Sequence, residues 1–219
     1  MNILMHIRAQ LTRKGRGFLC DQTGGVLVEF AVVVSLFLFL FLSLLDFGRL
    51  SYSVVSAQKA AQLAARIAVV RPPACNYGAG VFPDTHNRGP SSLAPRFGTS
   101  CSAGTGVCID PNLTPCSGAA TNTTAAEIWG RVSPLLPPDA TIDNLRFHYD
   151  FNDNLGFLGG PFTPMVTVEL DLADFNFVSP LAALANAAGA TNSTLPQAVG
   201  YSNFSVSLPA EDLALGESG

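Results

Sequence analysis

The pattern of apolar and polar positions changes twice along the 219 residues of this chain. From Val26 to Leu45 the only polar side chains are Glu29, Ser35 and Ser43. A helix of this length spans about 30 Å, which is the thickness of the hydrocarbon core of a bilayer. The pattern therefore predicts a transmembrane helix, with membrane lipid as its first partner.

The helix is predicted to continue well beyond the span, because alanines recur at steps of three and four residues. Pro72-Pro73 ends it, since proline lacks the backbone donor and crowds the preceding turn. A helix from Val26 to Arg71 would be roughly 70 Å long. Its alanine face packs closely against neighbouring helices, sits on the chain's own globular domain, or does both. This alanine face consists of Ala57, Ala60, Ala61, Ala64, Ala65 and Ala68.

In the second half of the chain the period changes to two, which is typical of half-buried strands. Three antiparallel strands are predicted, at residues 145–151, 165–172 and 203–208. The alanine-rich segment 180–200 predicts a short helix or a loop.

A second, short helix is predicted at residues 122–136, before the strands. Thr123 or Thr124 is expected to cap it and Glu127 to lie in its first turn, with Pro137-Pro138 closing it.

These elements predict an α+β protein in three parts. Residues 1–24 form a basic leader, residues 25–71 a transmembrane and extended amphipathic helix, and residues 72–219 an outer domain. The outer domain combines a small antiparallel sheet with a loop region stapled by disulfides.

Charge orients this arrangement across the membrane. Residues 1–24 carry four basic and one acidic side chain, while the remainder carries eight basic and fifteen acidic ones. Basic residues just before a span keep that end in the cytoplasm, so the outer domain is expected outside. Cleavage as an ordinary secretory signal is disfavoured, since the apolar core exceeds about 15 residues and the small-x-small site Ser51-Tyr-Ser53 comes late. The acidic balance argues against a nucleic-acid partner.

Four of the five cysteines fall within the loop-rich stretch 74–121, and the fifth, Cys20, lies in the leader. An even number without a C-x-x-C pair favours two disulfides over a zinc site. The sequence allows three pairings and does not choose among them. His86 lies between the first two cysteines, which keeps a metal interpretation open. The disulfide candidates are Cys75, Cys101, Cys108 and Cys116.

Catalytic motifs are absent from the sequence, which contains no G-x-S-x-G, H-E-x-x-H or phosphate-binding glycine loop. We therefore expect no enzyme, no cofactor, no metal and no small-molecule substrate. His148 and Asp150 share one face of a strand, and a surface pair is favoured over a catalytic one. The oxygens from Asp150 to Asn154 would suit calcium, although a plain polar turn is the preferred interpretation.

Glu29 is the unusual residue of the span, because a charge inside a bilayer costs about 2.5–3.5 kcal/mol at the centre and less near the edge. Cleavage between Gly24 and Gly25 would create an amino group with a pKa of about 7.7–8.0, mostly cationic at neutral pH. At about 4 Å and an effective dielectric of about 20, its gross attraction to the carboxylate is about 4 kcal/mol. The amine could belong to the same chain or to the next subunit.

Two motifs flanking the span carry a family resemblance. The segment from Gly24 to Arg66 resembles the TadE-like pseudopilins of tight-adherence (Flp-type, type IVb) pilus systems. It departs from their pattern in lacking a proline within the span and in having Ile67-Ala68-Val69 after the last motif. The matching residues are Gly24, Glu29-Phe30-Ala31, Asp46-Phe47-Gly48-Arg49 and Ala64-Ala65-Arg66.

The resemblance implies that a prepilin peptidase cuts between Gly24 and Gly25 on the cytoplasmic side of the bacterial inner membrane. Glu29 and Phe30 would then act in subunit assembly, and the single-pass protein would hold its domain in the periplasm. It would assemble or prime a pilus with other pilins or pseudopilins and the assembly platform, and could enter surface pili. The alternative is a signal-anchored periplasmic binding or adhesion domain that does not enter a pilus.

Overall fold

The computed structural model describes residues 25–92, 94–177, 198–211 and 213. These residues fall into two compact units, one containing residues 25–48 and the other containing the remaining described residues. The leader and nearly all of the predicted helix or loop at 180–200 lie outside the described residues.

A single long helix, α1, runs over Gly25–Ala68 and has 44 residues. It ends three residues before the predicted Arg71, because Val69 and Val70 leave the helix in a turn ahead of the two prolines. Large apolar side chains of the span face outward: Val26, Phe30 and Leu44 are 68–74% exposed. Among the described residues, this is the one helix long and apolar enough to cross a membrane.

The three predicted strands are confirmed and belong to one antiparallel sheet. The strands of the structure are β1 (Cys116–Ser117), β2 (Leu145–Asp150), β3 (Met165–Leu170), β4 (Phe175–Asn176), β5 (Ala198–Val199) and β6 (Phe204–Pro209). The predicted strands correspond to β2, β3 and β6. The sheet order is β1-β2-β3-β6, so β2 and β3 are central, and β6 and the short β1 are at the edges. A separate two-stranded ribbon pairs β4 with β5.

The main core lies between this sheet and the alanine face of α1. Alternate residues of β2, namely Leu145, Phe147 and Tyr149, are at most 2% exposed, as the period of two predicts. Every residue of the alanine face is 0–1% exposed and belongs to the same core. The second interpretation of this face is therefore correct: the small side chains seat the helix on its own domain.

The second helix, α2 (Thr123–Val132), continues into a 3-10 turn, Ser133–Leu135. Its predicted cap was wrong, because the side-chain oxygen of Asn122 accepts a hydrogen bond from the Ala125 N–H at 3.0 Å. Asparagine caps a helix at least as well as threonine. Since the helix begins at Thr123, Glu127 is its fifth residue and lies beyond the first turn. Two further 3-10 turns cover Cys101–Ala103 and Ile142–Asn144.

Both expected disulfides are present, and the structure selects one of the three pairings. Cys75 is bonded to Cys116 in the main core, where it joins the segment after α1 to strand β1. Cys101 is bonded to Cys108, seven residues further along. This second bond lies in a small loop core with Val107 and Leu158.

Candidate functional site

The residues of the proposed cleavage site begin helix α1. Gly24 lies outside the described residues, and Gly25 is the first residue of the helix. Glu29 follows one turn later with its side chain exposed, next to Phe30, which is 68% exposed. A Cβ built on Gly25 would meet nothing within 4 Å. The fold of this chain therefore does not require glycine there, and a requirement for it would come from another molecule.

The second motif, Asp46 to Arg49, lies where the apolar span ends. Asp46 is buried at 4% exposure, whereas Phe47 is 57% exposed. The guanidinium of Arg49 lies over the ring of Phe175, 5.6 Å from its centroid. This is a cation–π distance, and it connects the helix to strand β4 within the same unit.

The third motif, Ala64-Ala65-Arg66, has two environments. Both alanines are 0% exposed and belong to the core cluster that also contains the buried residues of the sheet. Arg66 points outward and lines a cleft of about 470 Å³ together with Val69, Leu208 and Glu211. The motif therefore places small residues inward and a charge at the surface.

The end of α1 is attached to the domain by contacts that sequence reasoning missed. The buried Ala74 N–H donates to the Tyr149 hydroxyl at 2.8 Å, and the Asn122 Nδ2 donates to the Pro73 carbonyl at 3.0 Å. On the surface, Arg71 Nε lies 3.2 Å from Glu127 Oε2. One signal was available, since a tyrosine on the buried face of a strand needs a partner for its hydroxyl.

Two tyrosines near this attachment have raised pKa values. Burial raises the pKa of Tyr149 well above its ordinary value, opposed by the hydrogen bond from Ala74. Burial and then the charge of Asp150 raise the pKa of Tyr77 to about 12. Both phenols are therefore neutral at physiological pH and act in hydrogen bonding and packing.

The polar residues singled out on strand β2 form a surface network. His148 Nε2 lies 3.5 Å from Glu169 Oε2, so its acidic partner is on the neighbouring strand β3. Arg146 Nη2 lies 3.0 Å from Asp171 Oδ2, in the residue that follows β3. In the following turn, Asn152 Oδ1 accepts from the Asn154 N–H at 3.0 Å, an Asx turn that fits the polar-turn interpretation.

His86 is brought against the second disulfide. It is 1% exposed, its ring packs against Phe162, and burial lowers its pKa. One of its nitrogens and the sulfurs of Cys101 and Cys108 all lie within 4.8 Å of one another. The two sulfurs are bonded to each other, so the oxidised protein offers no thiolates to a metal here. The spacing of these residues along the chain could not have predicted the contact between His86 and the disulfide.

Taken together, the geometry defines an α+β domain on a long N-terminal apolar helix of a kind that could anchor it in a membrane. The model of the family described as TadE-like protein matches residues 24–66. The resemblance of this segment is therefore confirmed, and it suggests involvement in tight-adherence pilus systems, whose TadE-like proteins are structural and not enzymes. No curated protein and no solved structure matches the chain.

Proposed function

We propose that this chain is a minor pseudopilin, cut by a prepilin peptidase between Gly24 and Gly25, that assists the assembly or priming of a tight-adherence pilus. The family match over residues 24–66 carries the proposal. It covers both the glycine pair and Glu29, so cleavage and assembly residues fall within one matched segment.

Glu29 has a defined role in this proposal. Gly25 and Glu29 are four residues apart in a helix, so they share a face. Cleavage would place a cationic amine on that face, within reach of an exposed carboxylate. If Glu29 pairs instead with the amine of the next subunit, the ion pair would set the axial register between packed helices.

Contacts between subunits would use the outward side chains of the span. The alanine face is fully occupied by the chain's own domain, so it is not available to another helix. The apolar side chains between residues 26 and 45 remain for lipid before assembly, and for pilins, pseudopilins or the assembly platform afterwards.

The proposed topology is a single pass through the bacterial inner membrane, with the leader in the cytoplasm. Basic residues precede the span. Two disulfides in the domain are compatible with an oxidising compartment such as the periplasm.

Replacement of Gly24 by a bulkier residue tests the cleavage. In a host with the peptidase, Gly24→Val is expected to leave a precursor that is heavier by the mass of residues 1–24. Gly48→Ala is the matched control, since a Cβ there meets nothing within 4 Å, and it should be processed normally. Unchanged mobility of Gly24→Val beside a processed parent would refute the cleavage site.

Replacement of Glu29 tests the assembly step separately. Glu29→Gln is expected to be processed normally but to assemble poorly, which the amount of sheared surface pili would measure. Ser35→Ala is the control, because the Ser35 hydroxyl donates a hydrogen bond to Ala31 O of its own helix at 2.8 Å. Normal pili from Glu29→Gln would contradict the ion-pair role.

The alternative function is a signal-anchored periplasmic binding or adhesion domain. It is favoured by one observation, namely that the family match ends at residue 66 and leaves the outer domain uncovered. N-terminal sequencing of the membrane-extracted protein separates the two functions. A chain that starts at Gly25 supports the pseudopilin, and one that starts at Met1 supports the anchored domain.

A further inference from the structure

His86 contains a buried nitrogen without a hydrogen-bond partner among the described residues. This atom is Nδ1, and the residue is 1% exposed. Buried polar atoms nearly always have a hydrogen-bond partner. An exception often marks an atom that binds an ion or a water, or that has a chemical role. The neighbours of His86 indicate which of these applies.

Those neighbours are the two sulfurs of the second disulfide. Cys101 is 3% and Cys108 is 7% exposed, and their sulfurs lie within 4.8 Å of a ring nitrogen of His86. Backbone hydrogen bonds hold this group in place independently of the S–S bond. The His86 N–H donates to Gly160 O at 2.8 Å, and the Cys101 N–H donates to Gly156 O at 3.3 Å.

We propose that reduction of the Cys101–Cys108 disulfide creates a metal site in which the two thiolates and His86 Nδ1 bind one thiophilic cation, Zn²⁺ or Cu⁺. A dithiol reductant supplies two electrons and two protons and becomes a disulfide, while Cys101 and Cys108 become thiols. The cation then displaces both thiol protons to solvent. Thiolate and imidazole ligands suit these cations.

Thr163 is positioned to orient the histidine for this task. His86 Nε2 lies 3.3 Å from Thr163 Oγ1 and can donate to it, which leaves the lone pair on Nδ1. In the other tautomer Nε2 accepts from the Thr163 N–H, and Nδ1 carries a buried proton without an acceptor, which is rare. Ligating histidines usually donate their second N–H to such a partner.

Metal and disulfide would exclude each other, because one pair of sulfurs cannot serve both. Bound cation should therefore slow the oxidation of Cys101 and Cys108. The Cys75–Cys116 pair is an internal comparison, since it lies in the main core and belongs to no metal-binding group among the described residues.

The test uses the full chain in detergent micelles with Cys20→Ser, so that only the four disulfide cysteines remain. The protein is reduced, freed of reductant without oxygen, and titrated with Zn²⁺ and separately with Cu⁺ against a competing chelator. Co²⁺ serves as the spectroscopic probe, through its thiolate charge-transfer band. Fluorescence of Trp129, the one tryptophan, reports whether each variant is folded.

We expect one tight cation per chain in the reduced parent and none in the oxidised parent. Thr163→Val should weaken binding roughly 10–100-fold, since it removes the orienting oxygen but keeps the shape, and Thr163→Ser should restore it. His86→Ala should weaken binding at least as much. Mass spectrometry should show Cys101 and Cys108 oxidising several-fold more slowly with cation present, and Cys75 and Cys116 unchanged.

Three results would overturn the proposal. The first is equal affinity in the parent and in His86→Ala. The second is tight binding that persists in Cys101→Ala/Cys108→Ala or in the denatured chain, where thiols also bind metals. The third is a reduced parent that does not fold, because the site requires the folded loops.

Discussion

The two parts of helix α1 have opposite surroundings, although one continuous helix contains both. Between residues 26 and 45 the large apolar side chains point outward, and Leu40 is 60% exposed. Between residues 57 and 68 the buried positions are all alanines, and each is 0–1% exposed. The first part therefore has large side chains that are mostly exposed, and the second has small side chains that are closely packed.

This difference shows that hydropathy and close packing constrain the sequence of a helix independently. Long apolar side chains require an apolar surrounding of any shape, which a bilayer or another helix can supply. Alanine buries little area itself, but it lets the sheet approach the helix backbone and favours the helical conformation. The span should therefore tolerate changes of side-chain shape, whereas the alanine face should not.

The largest expected loss of stability comes from removing the Cys75–Cys116 disulfide, which follows the alanine face of α1. Cys75→Ala/Cys116→Ala should lower the free energy of unfolding by about 4 kcal/mol, because the bond closes a loop of 41 residues. The control, Cys101→Ala/Cys108→Ala, should cost about 2 kcal/mol for a loop of seven. Denaturant unfolding of the full chain in micelles, followed by Trp129 fluorescence, measures both. Equal losses of unfolding free energy in the two double variants would show that the Cys75–Cys116 disulfide stabilises the fold no more than the Cys101–Cys108 disulfide does.

The next effect tests the comparison directly. Ala64→Leu should destabilise the domain by about 3 kcal/mol, since the added methyl groups have no space beside a side chain that is 0% exposed. Gln62→Leu adds an apolar side chain on the exposed side of the same turn and should stay within about 0.5 kcal/mol. Leu40→Ala in the span should also leave domain unfolding unchanged. If Leu40→Ala were as harmful as Ala64→Leu, the proposed division of the helix would be wrong.

The elements themselves could be predicted because their signals are local. The apolar run, the alanine spacing and the alternating pattern predicted α1 and the strands β2, β3 and β6. Their ends were predicted to within about three residues, as is usual for boundaries predicted from a sequence. Local signals also gave the existence of two disulfides. The predictions at the start of α2 were wrong, because the cap is Asn122 and not Thr123 or Thr124, and Glu127 lies beyond the first turn.

The remaining features depend on residues far apart in the sequence. Which cysteines pair is decided by the positions of strand β1 and the loops, and not by spacing. The contact of His86 with Cys101 and Cys108 requires the loop to fold back, and the bond from Ala74 to Tyr149 joins residues 75 positions apart. A single sequence carries no direct signal for such meetings.

The smallest of the three expected effects concerns that last bond. Tyr149→Phe keeps the ring in the core but leaves the buried Ala74 N–H without its acceptor, which should cost about 2 kcal/mol. The measurement is the same denaturant unfolding at neutral pH. Tyr77→Phe is the control, since its hydroxyl donates to Thr114 O in an exposed bond and should cost less. A loss in Tyr149→Phe no larger than in Tyr77→Phe would contradict an attachment through Ala74.

Alkaline pH gives this prediction a second readout with a definite sign. The folded-state pKa of Tyr149 is raised above its ordinary value of 10.0, mainly by burial. Below pH 10 both states keep the phenol proton, and this residue contributes no pH dependence. As pH rises above 10, the unfolded chain releases the proton while the folded chain holds it, so stability falls.

Tyr149→Phe should therefore be less stable than the parent at neutral pH, yet lose less stability between pH 10 and about 12. Tyr77 keeps part of the slope, since its own pKa is raised to about 12. An unchanged slope in Tyr149→Phe would show that Tyr149 ionises as freely in the folded protein as in the unfolded chain.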